Sequence, residues 1–348
     1  MKSLYVLLAL VPVTVLLAVL HAEHTWIFLS AALALVPLSA LIGKATDELA
    51  LRLGPALGGL LNVTLGNAAE LIITIVALRG GQPELVKASI SGSVLGNILL
   101  VMGMSLLVGG LRHGRQRFSA RLVGTAATMM TLAVVALMIP ALFRFGPHEI
   151  HPHEMEFFSV GVASVLLVIY GLYLFYTLGP HDVESELRKH AHQRPKWTQG
   201  RALAVLGAAT VGAVVMSELL VGAIEPVVHA WGVTQLFLGV IVVPIVGNAA
   251  EHWAAIQAAA DDKMDLSLGI ALGSSLQIAL FVAPVLVFVS QALGHPIQLV
   301  FNQYELAALA GAVIVAAFVA VDGESNWVEG AQLLALYLII GLGFFYLS

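Results

Sequence analysis

Gly66-Asn67-Ala68-Ala69-Glu70 returns as Gly247-Asn248-Ala249-Ala250-Glu251, each time inside an otherwise apolar run. Gly92-Ser93 follows the first copy and Gly273-Ser274 the second at the same distance, so two pairs of segments recur in register. The chain therefore reads as two related halves, each carrying one acid. A carboxylate in hydrocarbon costs roughly 2.5–3.5 kcal/mol and is seldom kept without a task.

Hydrocarbon is the expected surroundings. Of 348 residues, 59% are hydrophobic and 11% charged, with 16 Lys and Arg against 21 Asp and Glu. The mean hydropathy is +0.94. A soluble domain has roughly 45–50% apolar residues. The apolar runs have the length a helix needs to cross a bilayer and lack the alternation of a membrane barrel, which leaves an all-α integral membrane protein. The absence of cysteine excludes a disulfide framework, a thiolate metal site and c-type haem attachment. A net charge of −5 without a basic run gives no reason to expect a nucleic-acid partner.

About eleven transmembrane segments are expected, near 4–20, 25–43, 55–79, 85–108, 119–141, 157–178, 201–224, 233–258, 266–290, 303–321 and 329–347. The polar stretch Lys44 to Gly54 is read as a loop between the second and third. With this count, Lys2, Lys44, Arg52, the four arginines from Arg112 to Arg121, Arg188, Lys189, Arg194, Lys196, Arg201 and Lys263 share one face. Arg79, Lys87 and Arg144 take the other. Positive charge is retained in the cytoplasm during insertion, so the N-terminus is expected there and the C-terminus outside or in a lumen. Pro147 to Glu156, rich in His and Glu, is then a non-cytoplasmic loop, read as solvated rather than metal-holding, and His181 to Gly200 is a cytoplasmic linker.

Residues 1–24 supply an extra first helix, 25–178 five segments, 179–200 the linker and 201–348 five more. An odd number of crossings per unit forces the second unit to enter upside down, so the expected architecture is two inverted five-helix repeats. The two acidic stretches then enter from opposite faces and meet near the midplane, where secondary transporters place their sites.

On a helix Asn67 and Glu70 share a face, as do Asn248 and Glu251. Two carboxylates and two amide oxygens, helped by hydroxyls and freed carbonyls, suit a hard divalent cation, Ca2+ first. Gly66, Gly92, Gly247 and Gly273 are placed to let helices open or backbones approach. Ser93, Asn97, Ser274, Ser275 and Gln277 are candidate supporting residues, although a serine in a membrane helix is usually only a packing contact. His252 reads either as a proton carrier or as a partner that orients Glu251. Glu218, Glu225, Glu48 and Asp47 are candidates for the approach path, with a solvated helix end as the plainer reading of Asp47 and Glu48. Nothing here requires a cofactor; the ion is cargo. Glu251-His252 is not a His-Glu-x-x-His zinc motif, and no Ser/His/Asp set falls at one depth, so no enzyme is expected.

Gly-Asn-Ala-Ala-Glu-Leu-Ile at 66–72, Ser-Gly-Ser-x-Leu-x-Asn at 91–97, Gly-Asn-Ala-Ala-Glu-His at 247–252 and Gly-Ser-Ser-x-Gln at 273–277 occur in that order. With Ser217-Glu218 and Val243-Pro244-Ile245-Val246, they make the sequence resemble the cation/proton exchangers, the Ca2+/H+ antiporter family of the Ca2+/cation antiporter superfamily. The resemblance implies an eleven-helix fold with the first helix outside the repeats and exchange of cytoplasmic Ca2+ for protons. The family's two glutamates correspond to Glu70 and Glu251. The chain departs from many members in its short, basic mid-chain loop. A Na+-driven exchanger on the same scaffold and a passive cation channel remain as alternatives.

Overall fold

The computed structural model describes residues 4–145, 151–177 and 195–347, and it is helical almost throughout. Apolar runs become helices because hydrocarbon offers no water to backbone N–H and C=O groups, and a helix satisfies them within one segment. A 3-10 turn, Leu4–Ala9, leads into α1 (Leu10–Val19). There follow α2 (His24–Leu65), α3 (Ala68–Arg79), α4 (Pro83–Leu95), α5 (Met102–His113), α6 (Ala120–Phe145) and α7 (Pro152–Thr177). Beyond the linker come α8 (Gln199–Trp231), α9 (Val243–Gly247), α10 (Ala249–Ala260), α11 (Met264–Gln277), α12 (Ala283–Ala292), α13 (Gln303–Ala320) and α14 (Trp327–Tyr346). Among the described residues, 7 helices are long and apolar enough to cross a membrane, or up to 8 if the bent pair Gln235–Gly247 and Ala249–Ala260 is one span.

One expectation is corrected. Lys44 to Gly54 is not a loop: α2 runs straight through it and leaves helical geometry only at Gly54, with φ 79° and ψ 173°. Asp47-Glu48-Leu49-Ala50-Leu51-Arg52 contains no residue that stops a helix, whereas Gly54 accepts a positive φ and Pro55 has no N–H to continue the ladder.

π-helical turns interrupt three otherwise regular helices: Gly96–Val101 joins α4 to α5, Leu238–Val242 precedes α9, and Ile278–Val282 joins α11 to α12. Such turns often accompany functional sites. Pro244 stands just after the second and has no N–H to return to the carbonyl of Val240.

The helices with polar residues are the most enclosed. In Pro83–His113, 72% of the apolar window is buried and in Met264–Ala292 67%, against 22% in His153–Thr177 and Trp327–Tyr346. Val165, Val168, Leu172 and Phe175 project outward along α7, an apolar surface suited to lipid.

The connections sort into two ends. At one, β1 (Gln116–Arg117) pairs antiparallel with β2 (Glu324–Ser325), Gln116 Nε2 donates to Asp262 Oδ1 at 2.7 Å, and the Ser119 N–H donates to Asp265 Oδ1 at 2.7 Å. At the other, Lys87 Nζ donates to Val300 O at 3.1 Å, Gln235 Nε2 to Gln82 Oε1 at 3.4 Å, and the Leu299 N–H to Ser159 Oγ at 3.0 Å. Each of these links joins loops, or helix ends beside them, that the sequence reading puts on the same face.

Of the His- and Glu-rich loop, 146–150 lie outside the described residues. The described part is tied locally, the His151 N–H donating to Glu154 Oε2 at 3.2 Å and the His153 ring meeting Phe157 edge-on. Among the described residues no group of three or more His, Asp or Glu is placed to hold a metal ion. Residues 178–194 of the linker also lie outside the described residues.

Candidate functional site

Both Gly-Asn-Ala-Ala-Glu stretches break a helix at the same letter. In the first copy Asn67 has φ −96° and ψ 31° between α2 and α3; in the second Asn248 has φ −97° and ψ 7° between α9 and α10. The helix restarts at Ala68 and Ala249, so Glu70 and Glu251 each fall in the first turn of a new helix. In the second copy the break bends the axis by 64°.

The breaks bring the acids together. Glu70 Oε1 packs so closely on Gly247, four residues before Glu251, that a Cβ at 247 would lie 2.8 Å from it. Around them the polar side chains form a directed chain. His252 Nε2 lies 3.1 Å from Asn97 Oδ1, Asn97 Nδ2 donates to Ser274 Oγ at 3.1 Å, Ser274 Oγ donates to Asn67 Oδ1 at 3.2 Å, and Asn67 Nδ2 donates to Gln277 Oε1 at 2.6 Å. Each link crosses from one half of the chain to the other. Asn248 Nδ2 adds another crossing, donating to Ser93 Oγ at 3.3 Å.

This bonding decides which oxygens are free. The side-chain oxygens of Asn67, Asn97 and Gln277 are all engaged in the chain. Among the described residues, Glu70 Oε1, Glu251 Oε2 and Asn248 Oδ1 are buried with no hydrogen-bond partner. An unpaired buried acceptor costs about 1–3 kcal/mol, and here three converge with two formal negative charges. The arrangement can bind a cation, or take up protons in its place.

The remaining sequence candidates are distributed as follows. Ser275 turns back onto its own helix, donating to Ala271 O at 3.0 Å, and so does not join the chain. Gly66 lies against Gln277 Oε1, which a Cβ there would approach to 3.4 Å. Glu218 is exposed on α8 and lines a cavity of about 350 Å³ with Arg79, Gly80, Gln82 and Gly222; Glu225 is exposed on the same face of α8 and does not line that cavity. Glu48 is buried, and its Oε2 accepts the backbone N–H groups of Lys196 at 2.7 Å and Trp197 at 3.0 Å. It anchors the end of the linker. Asp47, one residue earlier, is exposed and lies within electrostatic reach of Glu251.

Glu305 was missed by sequence reasoning, although Asn302-x-x-Glu305 is a legible capping pattern. Its Oε2 accepts the Asn302 N–H at 3.0 Å, closing the cap of α13, while its Oε1 accepts from Ser91 Oγ at 2.6 Å, two residues before Ser93. The same box at Asn326 and Glu329 keeps both glutamate oxygens on its own cap residue. Glu305 therefore ties α13 to α4 beside the site. Glu305→Ala is expected to destabilise the protein by about 1–3 kcal/mol, with Glu305→Gln much milder; thermal unfolding in detergent measures the difference.

The sequence profile described as "Sodium/calcium exchanger protein" matches residues 23–179 and again 201–346. The Ca2+/H+ antiporter of Aphanothece halophytica is 42% identical over 355 residues, covering 98% of this chain and 95% of its own. The Ca2+/H+ antiporter ChaA of Bacillus subtilis is 40% identical over 342 residues, covering 97% of both. The solved structure of native YfkE superposes with a TM-score of 0.86 at 39% identity over 99% of both chains. The crystal structure of the H+/Ca2+ exchanger CAX, at 13% identity, shares the fold with a TM-score of 0.73 over 100% of this chain and 92% of that one. With a family profile spanning both halves and relatives of this identity along nearly the whole length, the chain belongs to the sodium/calcium exchanger family and groups with its Ca2+/H+ antiporters.

Proposed function

We propose that this protein exchanges Ca2+ for protons across a membrane by alternating access. The observation that carries the reading is the placing of Glu70, Glu251 and Asn248 at two broken helices, with three buried oxygens that have no hydrogen-bond partner among the described residues. Ca2+ takes six to eight oxygens, with carboxylates supplying the charge; these three would be joined by neighbouring hydroxyls, carbonyls or water. Relatives that cover nearly the whole chain are named Ca2+/H+ antiporters.

Two uncompensated carboxylates in one dry cavity are too costly to keep, so an empty site fills with protons and an arriving Ca2+ displaces them. Ion and protons then exclude each other, and an empty, charged site does not reorient. That exclusion makes exchange obligatory. The directed chain from His252 to Gln277 ties the halves together at the site, and the π-helical turns supply places where the helices bend. Glu70 and Glu251 carry cation and proton in turn, Asn248 contributes its carbonyl oxygen, and Asn67, Ser93, Asn97, Ser274, Gln277 and His252 hold them in register.

The proposal includes the topology. The two separate matches to the family profile leave the first helix and residues 180–200 outside, as two repeats joined by a linker require. Broken helices at the same letters in each half fit inverted five-helix repeats, eleven crossings in all, with a cytoplasmic N-terminus. In proteoliposomes, an imposed pH gradient is expected to drive Ca2+ uptake at zero Na+. Uptake driven only by a Na+ gradient at fixed pH, or Ca2+ flux needing no counter-gradient, would replace this reading with a Na+ exchanger or a channel.

A further inference from the structure

A cavity of about 260 Å³ lies between the 3-10 turn Leu4–Ala9 that leads into α1, α2 and α8. Its walls combine Lys44 and Arg201 with apolar Leu8, Leu41 and Val205, and Trp197 closes it from the linker. Lys44 Nζ stands 5.1 Å from the centre of the Trp197 ring and the Arg201 guanidinium 5.0 Å from it. Arg52 donates to the carbonyl of Trp197. Glu48, the buried acid of this corner, is already occupied by the N–H groups of Lys196 and Trp197. Among the described residues neither Lys44 nor Arg201 forms an ion pair. Two cations thus converge on one aromatic ring, and no ion pair among the described residues neutralises either of them.

We propose that this cavity binds the headgroup of an anionic phospholipid, its phosphate between Lys44 and Arg201 and its acyl chains along Leu8, Leu41 and Val205. A soluble phosphate would gain nothing from the apolar wall, and a neutral lipid would leave the two charges unanswered. The level is right: Trp197 and Tyr5 border the cavity, and aromatic side chains gather where hydrocarbon meets headgroups. Outward from the cavity the surface turns apolar, with Val6 71% and Leu203 52% exposed. Basic pockets between membrane helices recognise lipid headgroups by this combination of charge and greasy flank. The bound lipid would join α1, α2 and the docked end of the linker, which gives the helix outside the two repeats a task.

Each basic residue near an anionic headgroup contributes about a factor of five in affinity, so Lys44→Gln with Arg201→Gln is expected to weaken binding roughly thirtyfold. The test is native mass spectrometry of the full chain titrated with phosphatidylglycerol, phosphatidylcholine or glycerol phosphate. Wild type should retain phosphatidylglycerol over phosphatidylcholine, and Lys44→Arg with Arg201→Lys should stay close to wild type. If the neutral double variant fails to fold, Lys44→Gln alone, with its fivefold loss, decides. Equal retention of the two lipids, unchanged affinity in the neutral variants, or displacement of the lipid by glycerol phosphate at comparable concentration would each overturn the proposal.

Discussion

Glu70→Gln and Glu251→Gln, made singly, are each expected to reduce proton-driven Ca2+ uptake into proteoliposomes to the level of vesicles without protein. Glutamine keeps the size of the side chain and one oxygen, and it removes both the charge that binds the cation and the group that takes up the proton. Losing one charged partner of a buried electrostatic contact costs about 2–5 kcal/mol, which weakens Ca2+ binding from roughly thirtyfold to several thousandfold. Coupling suffers separately, since a neutral amide at either position lets the empty protein reorient without the full proton load. Folding should survive, because a neutral side chain is less costly to bury than an ionised one. The arms are Ca2+ uptake under a pH gradient, equilibrium Ca2+ binding and size-exclusion profiles of both variants. Wild-type uptake by either one would remove the pair from the site.

The second large effect is expected at Gly92. A Cβ there would run into the backbone of Val240, in the π-helical turn Leu238–Val242 that precedes the second broken helix. A flexible side chain could move aside; a backbone carbonyl cannot without displacing α9 and therefore Asn248. Ser91-Gly92-Ser93 touches three elements in three successive residues: Glu305 on α13, Val240 and Asn248. Gly92→Ala is expected to cost about 1–3 kcal/mol or more through overpacking and to abolish exchange even where the protein remains folded. Gly96→Ala is the control, since a Cβ at 96 meets nothing within 4 Å. Thermal unfolding and Ca2+ uptake measured on the two variants separate a local clash from a general intolerance of alanine in this helix. Equal behaviour of the two would show that the close approach at Val240 is dispensable.

Much of the site was legible beforehand. The doubled Gly-Asn-Ala-Ala-Glu stretch marked both acids, and of the serines and amides that follow it Ser93, Asn97, Ser274 and Gln277 join the bonds around Asn67 and Asn248, whereas Ser275 does not. What could not be read was which of those polar atoms are used. Asn67 and Asn248 are equivalent letters in the repeat, yet Asn67 spends its carbonyl oxygen on Ser274 while Asn248 keeps its own unpartnered. The matching outer shell is not symmetric in sequence, Asn97 in one half and Gln277 in the other, so the bonds cannot be symmetric either. Glu48 shows the same limit, since no local pattern tells that its carboxylate accepts the linker backbone at Lys196 and Trp197.

The sequence by itself determined the helical membrane class, the recurrence of one stretch in each half of the chain and the two acids it carries. These follow from local quantities: hydropathy over a window, the spacing of recurring letters and the cost of a charge in hydrocarbon. Only the tertiary structure decided that α2 runs through its polar stretch to Gly54, that Glu305 reaches across to Ser91, and that Glu70, Glu251 and Asn248 are left with free oxygens. Those outcomes depend on hydrogen bonds between residues that packing alone brings together, such as Asn67 with Gln277 and Asn97 with Ser274, and no local pattern specifies a partner so far along the chain.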